Sequence, residues 1–478
     1  MTAEEGRDGS AGHHVLLRAG YKRWLVAVLL LVSIFNFADR AILSVLAQPI
    51  KEDLHLTDTD LGLLQGLGFA ILYSILGIPI GLLAERVNRT RLLALCVGAW
   101  SAMTVLCGFA TNFITLLLGR VGVGVGEAGA VPITNSLISD HFEARRRGSI
   151  LAITLLGAPL GFLLGQSVGG LVASEWGWRT AFYVMGAPGV LLAGLIFLTL
   201  REPPRGLVEG VATASTTPAP SFPQVLRYLW AKPTYRHLLT AYVVASFPMN
   251  AVASFVLPFY LRGFDVPLAT LGVLFGMVSF LSNGIGMLLG GFGIDRLARN
   301  DPRWSLRGPA IALTLCVPLY LGAFLSTDIY VSLAFVFAGN LMLSSSMAPT
   351  MATMQNLVGP RMRATTSAIT ALVIGIVGAG LGPTVAGILS DNLAVRAFSG
   401  GDFIASCPGG RGPDGPGTAL DIACLAASTE GVRWSLILLL GVFLWAAMHY
   451  LFASRRLAQD LYDPAREGAG AGAARVAQ

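Results

Sequence analysis

Charge is what this 478-residue sequence has least of: 13% of its residues are Asp, Glu, Lys or Arg, against about 25% in an ordinary soluble domain. So few charges cannot coat a water-facing surface, and 54% hydrophobic residues with a mean hydropathy of +0.67 point the same way. A soluble enzyme is excluded. Lysine is scarcer still, three residues against thirty arginines, a skew typical of a GC-rich bacterial genome. Five cysteines include no Cys-x-x-Cys pair, and His13, His14, His55, His141, His237 and His449 show no metal-ligand spacing, so neither a metal centre nor a metalloenzyme is expected. A phosphate loop of the Gly-x-x-x-x-Gly-Lys type is missing too, which argues against ATP as an energy source. No grouping of nucleophile and base suggests catalysis.

What is present is a series of apolar runs of about twenty residues, the length that crosses a hydrocarbon core ~30 Å thick. Twelve are expected, near 24–48, 60–84, 92–111, 113–137, 149–172, 180–200, 237–261, 270–292, 308–326, 328–355, 366–390 and 432–453. They must be helices, because lipid offers backbone amides no partner. The fold class is therefore an all-α membrane protein of twelve transmembrane helices. The first run is too long for a cleaved leader, and Asp39 and Arg40 interrupt it.

Basic residues set the orientation. With both termini cytoplasmic, 25 of the 33 fall on cytoplasmic segments, six outside (Lys51, Arg179, Arg262, Arg396, Arg411 and Arg433), and Arg40 and Arg120 inside the membrane. The pI near 9.2 and net charge of +6 thus reflect topology and do not imply nucleic acid as a partner. A bacterial inner membrane is the expected location.

The segment 201–236, with Glu202-Pro203-Pro204 and Pro218-Ala219-Pro220, reads as a linker. It separates a six-helix bundle over 24–200 from another over 237–453. Residues 1–23 and 454–478 are tails, the latter charged and then Gly/Ala-rich after Arg466, where disorder is expected. The halves echo one another: Gly81, Glu85, Arg86 and Arg89 recur 210 positions later as Gly291, Asp295, Arg296 and Arg299. Arg145 and Arg147 recur as Arg361 and Arg363. Two parallel six-helix repeats form a transporter architecture.

Four strongly ionisable residues lie well inside the runs: Asp39, Arg40, Arg120 and Glu127. A charge at mid-membrane costs at least ~2.5–3.5 kcal/mol, so such groups face a cavity or one another. Helical rise places Asp39 and Arg120 at a similar depth. Glu127, seven residues after Arg120, falls on nearly the same face but about 10.5 Å deeper. Gly122, Gly126 and Gly129 occupy the opposite face and suit a close helix neighbour. One reading is a static ion-pair network that fixes packing. The other makes Glu127 and Asp39 the proton-coupling carboxylates, Glu127 the better carrier, and Arg40 and Arg120 anion-binding groups.

The second half offers no matching charge. Instead Asn340, Ser344, Met347, Met351 and Met354 share a face of the tenth run, while Phe247, Asn250 and Ser254 share one of the seventh. Methionine stripes often serve only as adaptable packing. As a binding surface, Asn250, Asn340, Met347 and Met351 would meet an amphiphile whose anionic head takes the arginines. Gly157, Pro159, Gly161, Gly165 and Gly169 give the fifth run a small, bendable face, as does Gly382-Pro383 in the eleventh. Cys407 and Cys424 share a Gly/Pro-rich outer loop, 391–431, and are disulfide candidates there.

Several stretches resemble the major facilitator superfamily, and more narrowly its Spinster branch of lysophospholipid and sphingosine-phosphate carriers. They are Asn36-x-x-Asp39-Arg40, Asp58-Thr59 with Gly62-Leu63-Leu64-Gln65, and Arg120-x-x-x-Gly124-x-Gly126-Glu127-Ala128 through Ser139-Asp140. Gly81 to Arg91 is similar to the superfamily's cytoplasmic gating motif, with Glu85 for the usual Asp and Asn88 for the usual Gly. The resemblance implies two pseudo-symmetric six-helix bundles that rock to give alternating access. It further implies that Asp39, Arg40, Arg120 and Glu127 line the cavity, and that Gly81, Glu85, Arg86, Arg89, Asp295 and Arg296 belong to the gates. The expected function is proton-coupled transport of an amphiphilic, lipid-like organic anion. The proton gradient takes the place of a cofactor, membrane lipids and the small substrate are the partners, and a monomer suffices. The alternatives are a multidrug exporter and, in another class, a non-transporting receptor or scaffold.

Overall fold

The computed structural model describes residues 16, 18–205, 207–208, 221–359 and 362–462. The N-terminal tail to residue 15, Pro218-Ala219-Pro220, Arg361 and the stretch after Arg466 lie outside the described residues. No β-strand occurs among the described residues. Eleven helices there are long and apolar enough to cross a membrane. They are α1 (Ala19–Asp53), α2 (Asp58–Ala84), α3 (Arg89–Cys107), α4 (Phe113–His141), α5 (Arg145–Thr199), α6 (Pro233–Gly263), α7 (Leu268–Ala298), α8 (Trp304–Leu325), α9 (Ile329–Asn356), α10 (Thr365–Ala397) and α11 (Ala419–Asp460).

The count differs from twelve for a local reason. α5 runs for 55 residues, more than twice what one crossing needs. At Gly177 its backbone leaves the helical region, with φ 81° and ψ 162°, a conformation open to glycine at little cost. α5 is thus the fifth and sixth spans joined end to end.

Packing divides the chain into two compact units whose limits are not those of the sequence halves. Of the described residues, the first takes those up to Ser215 with Asn250–Leu281 and Ala379–Leu436; the second takes those within Thr216–Met249 and Ser282–Gly378 and those from Ile437.

In the first unit, small residues let helices meet backbone to backbone. A Cβ on Gly161 or Gly165 of α5 would fall 2.6 Å from the carbonyls of Ile34 and Ala38 in α1. One on Gly126 of α4 would fall 2.7 Å from the Trp100 nitrogen in α3, and Gly122 and Gly129 meet Met103 and Cys96 of that helix, as their shared face suggested. α2 lies as close to α10: a Cβ on Gly62 would stand 2.4 Å from the Pro383 carbonyl, and one on Gly387 would stand 2.1 Å from that of Asp58. Such approaches admit no side chain, so glycine is obligatory there.

In the second unit, Gly290 of α7 sits on the Ser345 backbone of α9, inside a π-helical turn over Leu289–Gly293. Tyr320 of α8 donates to Asn340 Oδ1 at 2.6 Å, and the Thr350 and Tyr450 hydroxyls join α9 to α11 at 2.9 Å.

Candidate functional site

Apart from Asp421, which pairs with Arg411, the buried charges of the first unit fall into three clusters. The central one is built by α1 and α4 against α2 and α3. Asp39, Arg120 and Glu127 are 2%, 2% and 1% exposed, so none is solvated. Arg40 donates from Nε to Glu127 Oε2 at 2.8 Å, and its Nη2 lies 2.8 Å from the same oxygen. Asn36 flanks Glu127 one turn before Arg40. Arg120 points Nη1 at the Asp39 carbonyl, 3.5 Å away, while the Asp39 side chain faces Thr104 and Arg120. The partner of Glu127 is therefore Arg40, on another helix, and not Arg120 on its own face.

Aromatic rings complete this centre. The Arg40 guanidinium stands 4.6 Å from the Tyr73 ring centroid and 4.9 Å from that of Phe69; Arg120 stands 5.4 Å from Phe69 on its side. Phe69 and Tyr73 are themselves stacked at 5.2 Å. A ring's electron-rich face stabilises a cation by about 0.5–1 kcal/mol where water still reaches it, and by about 2 kcal/mol or more where it is desolvated, as Arg120 is. Sequence reasoning passed over these rings, although an aromatic pair at i and i+4 in the second run was the available signal. Gly124 allows the arrangement, since a Cβ there would lie 2.7 Å from the Phe69 carbonyl.

A second cluster closes the distal end of this unit, the end away from the N-terminus of α1. Asp58 accepts from Lys51 Nζ at 2.6 Å, from Arg262 Nη1 and Nη2 at 2.7 and 2.6 Å, and from Ser390 Oγ at 2.6 Å. Arg262 also donates from Nε to Gln48 Oε1 at 2.7 Å. Asp391 of α10 accepts from the Asp58 and Thr59 amides at 2.9 and 2.7 Å and so caps the start of α2. Lys51 and Arg262, expected on the outer side just beyond the first and seventh apolar runs, are in fact helical and buried.

The third cluster lies at the proximal end. Buried Arg89 ion-pairs with Asp140, donates to Ser136 Oγ at 2.8 Å and reaches Glu202 Oε1 at 2.7 Å. Glu202 also accepts from the Arg89 and Thr90 amides at 2.7 and 3.1 Å, capping α3. Arg89, a gating candidate, thus ties the start of the linker to α3 and α4. Gly81 packs against Pro132. Glu85, Arg86, Asp295 and Arg296 are exposed, and among the described residues no ion pair engages them.

Asn250 is half-buried in α6. In the second unit, the face carrying Asn340 and the methionines is uneven: Met351 is exposed, Met347 half-buried and Met354 buried, its sulfur accepting from Thr370 at 3.3 Å. Ser344 is buried against Asn283, at 2.5 Å. Met354 and Ser344 therefore belong to packing. Cys407 and Cys424 form a disulfide, but they do not share a loop: the connection expected over 391–431 is shortened at both ends, because α10 continues to Ala397 and α11 begins at Ala419 and carries Cys424.

The major facilitator superfamily model matches residues 29–397. The chain belongs to that superfamily. It is 35% identical over 368 residues to an MFS-type efflux pump of Mycolicibacterium smegmatis, covering 77% of this chain and 84% of that protein. To human protein spinster homolog 1 it is 29% identical over 401 residues, covering 79% and 74%. Among solved structures it resembles a bacterial homologue of the human lysosomal transporter Spinster, in an inward-facing and unoccupied conformation, with a TM-score of 0.85 and 30% identity over 94% of this chain and 100% of that one. The chain is accordingly a Spinster-like membrane transporter with the fold of that superfamily, not an enzyme.

Proposed function

We propose that this transporter couples proton movement to the passage of an amphiphilic, lipid-like organic anion. The observation that carries the reading is the Arg40–Glu127 ion pair, its carboxylate buried beside Asp39 and Arg120 and its half-buried guanidinium walled by Phe69 and Tyr73. A buried carboxylate with one guanidinium partner holds that cation only while ionised. Protonating Glu127 frees Arg40 for the anionic head of a substrate, and loss of the proton returns Arg40 to Glu127. Proton and anion occupancy are then linked through one side chain. Asp39 and Arg120 provide a second carboxyl group and a second guanidinium cation at the same site. Asn250, Asn340, Met347 and Met351 are assigned to the remainder of the substrate.

In this reading the bundles over 24–200 and 237–453 rock about the 201–236 linker as a monomer in a bacterial inner membrane, with the proximal end cytoplasmic. Gly81, Glu85, Arg86, Asp295 and Arg296 would engage when that end closes.

The experiment is uptake of a lysophospholipid into proteoliposomes with and without a pH gradient. Glu127→Gln should abolish gradient-driven uptake and leave substrate exchange intact; unchanged gradient-driven uptake overturns the proton role. A second reading, export of drugs, is favoured by the 35% identity to an efflux pump. It takes precedence if cationic compounds of unrelated shape are carried and the lysolipid is not.

A further inference from the structure

The connection between α10 and α11, residues 398–418, is more than a link. It begins with a small apolar cluster in which Phe398, Phe403 and the disulfide pack on Ala394 and Ala427. Gly409 and Gly410 follow with φ of 66° and 81°, and both press on the distal end of α1. A Cβ on Gly409 would come within 2.9 Å of the Lys51 carbonyl, and one on Gly410 within 3.4 Å of the Lys51 side chain. Positive φ and the absence of a side chain are both needed for this seat. Arg411 then reaches Glu52 Oε1 at 3.1 Å and Asp421 Oδ2 at 3.4 Å, while Asp421 accepts from the Gly412 and Gly417 amides at 3.1 and 3.0 Å. Glu52 Oε1 also accepts from Gln48 Nε2 at 2.8 Å, and Gln48 Oε1 accepts from Arg262, the bidentate partner of Asp58. An unbroken polar chain therefore runs from Arg411 through Glu52, Gln48 and Arg262 to the distal cluster.

We propose that residues 398–418 are a latch on the distal closure, with Arg411 as its catch on Glu52 and the Cys407–Cys424 disulfide as the staple that holds its shape. The seat is incomplete: a cavity of about 110 Å³ remains beneath it, lined in part by Lys51, His55, Asp391 and Phe403. A latch that must lift in each cycle requires such a partial seat rather than a fused core. Both sulfurs are buried, so a dithiol reductant reaches them only after the latch lifts. Thiol–disulfide exchange then gives two cysteine thiols and an oxidised reductant, and its rate reports the opening.

The test needs neither substrate nor proton gradient, so it stands apart from the proposed function. Hydrogen–deuterium exchange would be measured on the full chain in lipid nanodiscs for the wild type, Arg411→Ala and Cys407→Ser/Cys424→Ser. Several-fold faster exchange in both variants over 58–66 and 383–391, with 89–107 unchanged, supports the latch. Faster exchange confined to 398–418 overturns it. If the double cysteine variant does not fold, Arg411→Ala decides alone. A second readout is the rate at which dithiothreitol reduces the disulfide: an increase of severalfold in Arg411→Ala is expected, and an unchanged rate counts against the latch.

Discussion

Arg262 grips Asp58 with both terminal nitrogens, at 2.6 and 2.7 Å, across 204 residues of sequence. Lys51 shares the same carboxylate, so Asp58 is the direct partner of two cations that have left water, with Asp391 the second acid of the cluster. Removing one partner of a buried pair typically costs about 3–5 kcal/mol, because the survivor is stranded. Asp58→Asn, which removes the direct partner of both, should lower the unfolding temperature in detergent by many degrees. Lys51→Met in the same background should recover part of the loss. Thermal melts of the single and double variants decide it, and purely additive effects would separate Lys51 from the cluster.

The backbone contact of α2 with α10 gives a sharper steric expectation. Gly387→Ala would drive a methyl to within 2.1 Å of the Asp58 carbonyl, and overpacking of this kind costs about 1–3 kcal/mol. Gly441→Ala, where nothing lies within 4 Å, is the control and should be neutral in both stability and uptake. Equal behaviour of the two variants would mean that the helices stand further apart.

Much of this was legible in the sequence because lipid is an unforgiving solvent. Apolar runs of a fixed length, charges stranded within them and glycines at helical spacing each admit few explanations, so the helices and the central four residues could be read directly. Pairing could not. Whether Glu127 meets Arg120 or Arg40 depends on how α1 is rotated against α4, and no single helix encodes that. The distal cluster was hidden for another reason: positive charge at the end of an apolar run is ordinary at a membrane surface. The distinguishing signal was the acids, Asp58 and Asp391, each within a turn or two of a helix end that also carried a cation or an open amide.

Arg89 ties Glu202 to the start of α3 through its guanidinium and through backbone amides. Arg89→Lys keeps the charge but presents an ammonium that cannot serve Glu202, Asp140, Ser136 and the Pro203 carbonyl from one plane. Each lost bond to a charged group is worth about 1.5–3 kcal/mol. The chain just after Glu202 should become more sensitive to added protease, by about tenfold, while the other connections keep their cleavage rates. Digestion followed by mass spectrometry gives the comparison.

Phe69 lies under two guanidiniums, those of Arg40 and Arg120, while its backbone touches Gly124. Phe69→Leu retains most of the apolar volume and removes the ring face. Two cation–π contacts of about 0.5–2 kcal/mol each would be lost, leaving both cations less restrained and the buried Arg120 less well compensated. If the arginines receive an anionic head group, binding of a lysophospholipid should weaken by roughly 5- to 30-fold, with little change in the melting temperature. Arg40→Lys should weaken it further, since a point charge neither stacks on Phe69 and Tyr73 nor offers a planar pair of donors. Titration of the detergent-solubilised protein with the lysolipid and with its uncharged monoacylglycerol counterpart separates head-group recognition from general apolar binding. A loss of equal size for both ligands would show that the rings serve packing alone.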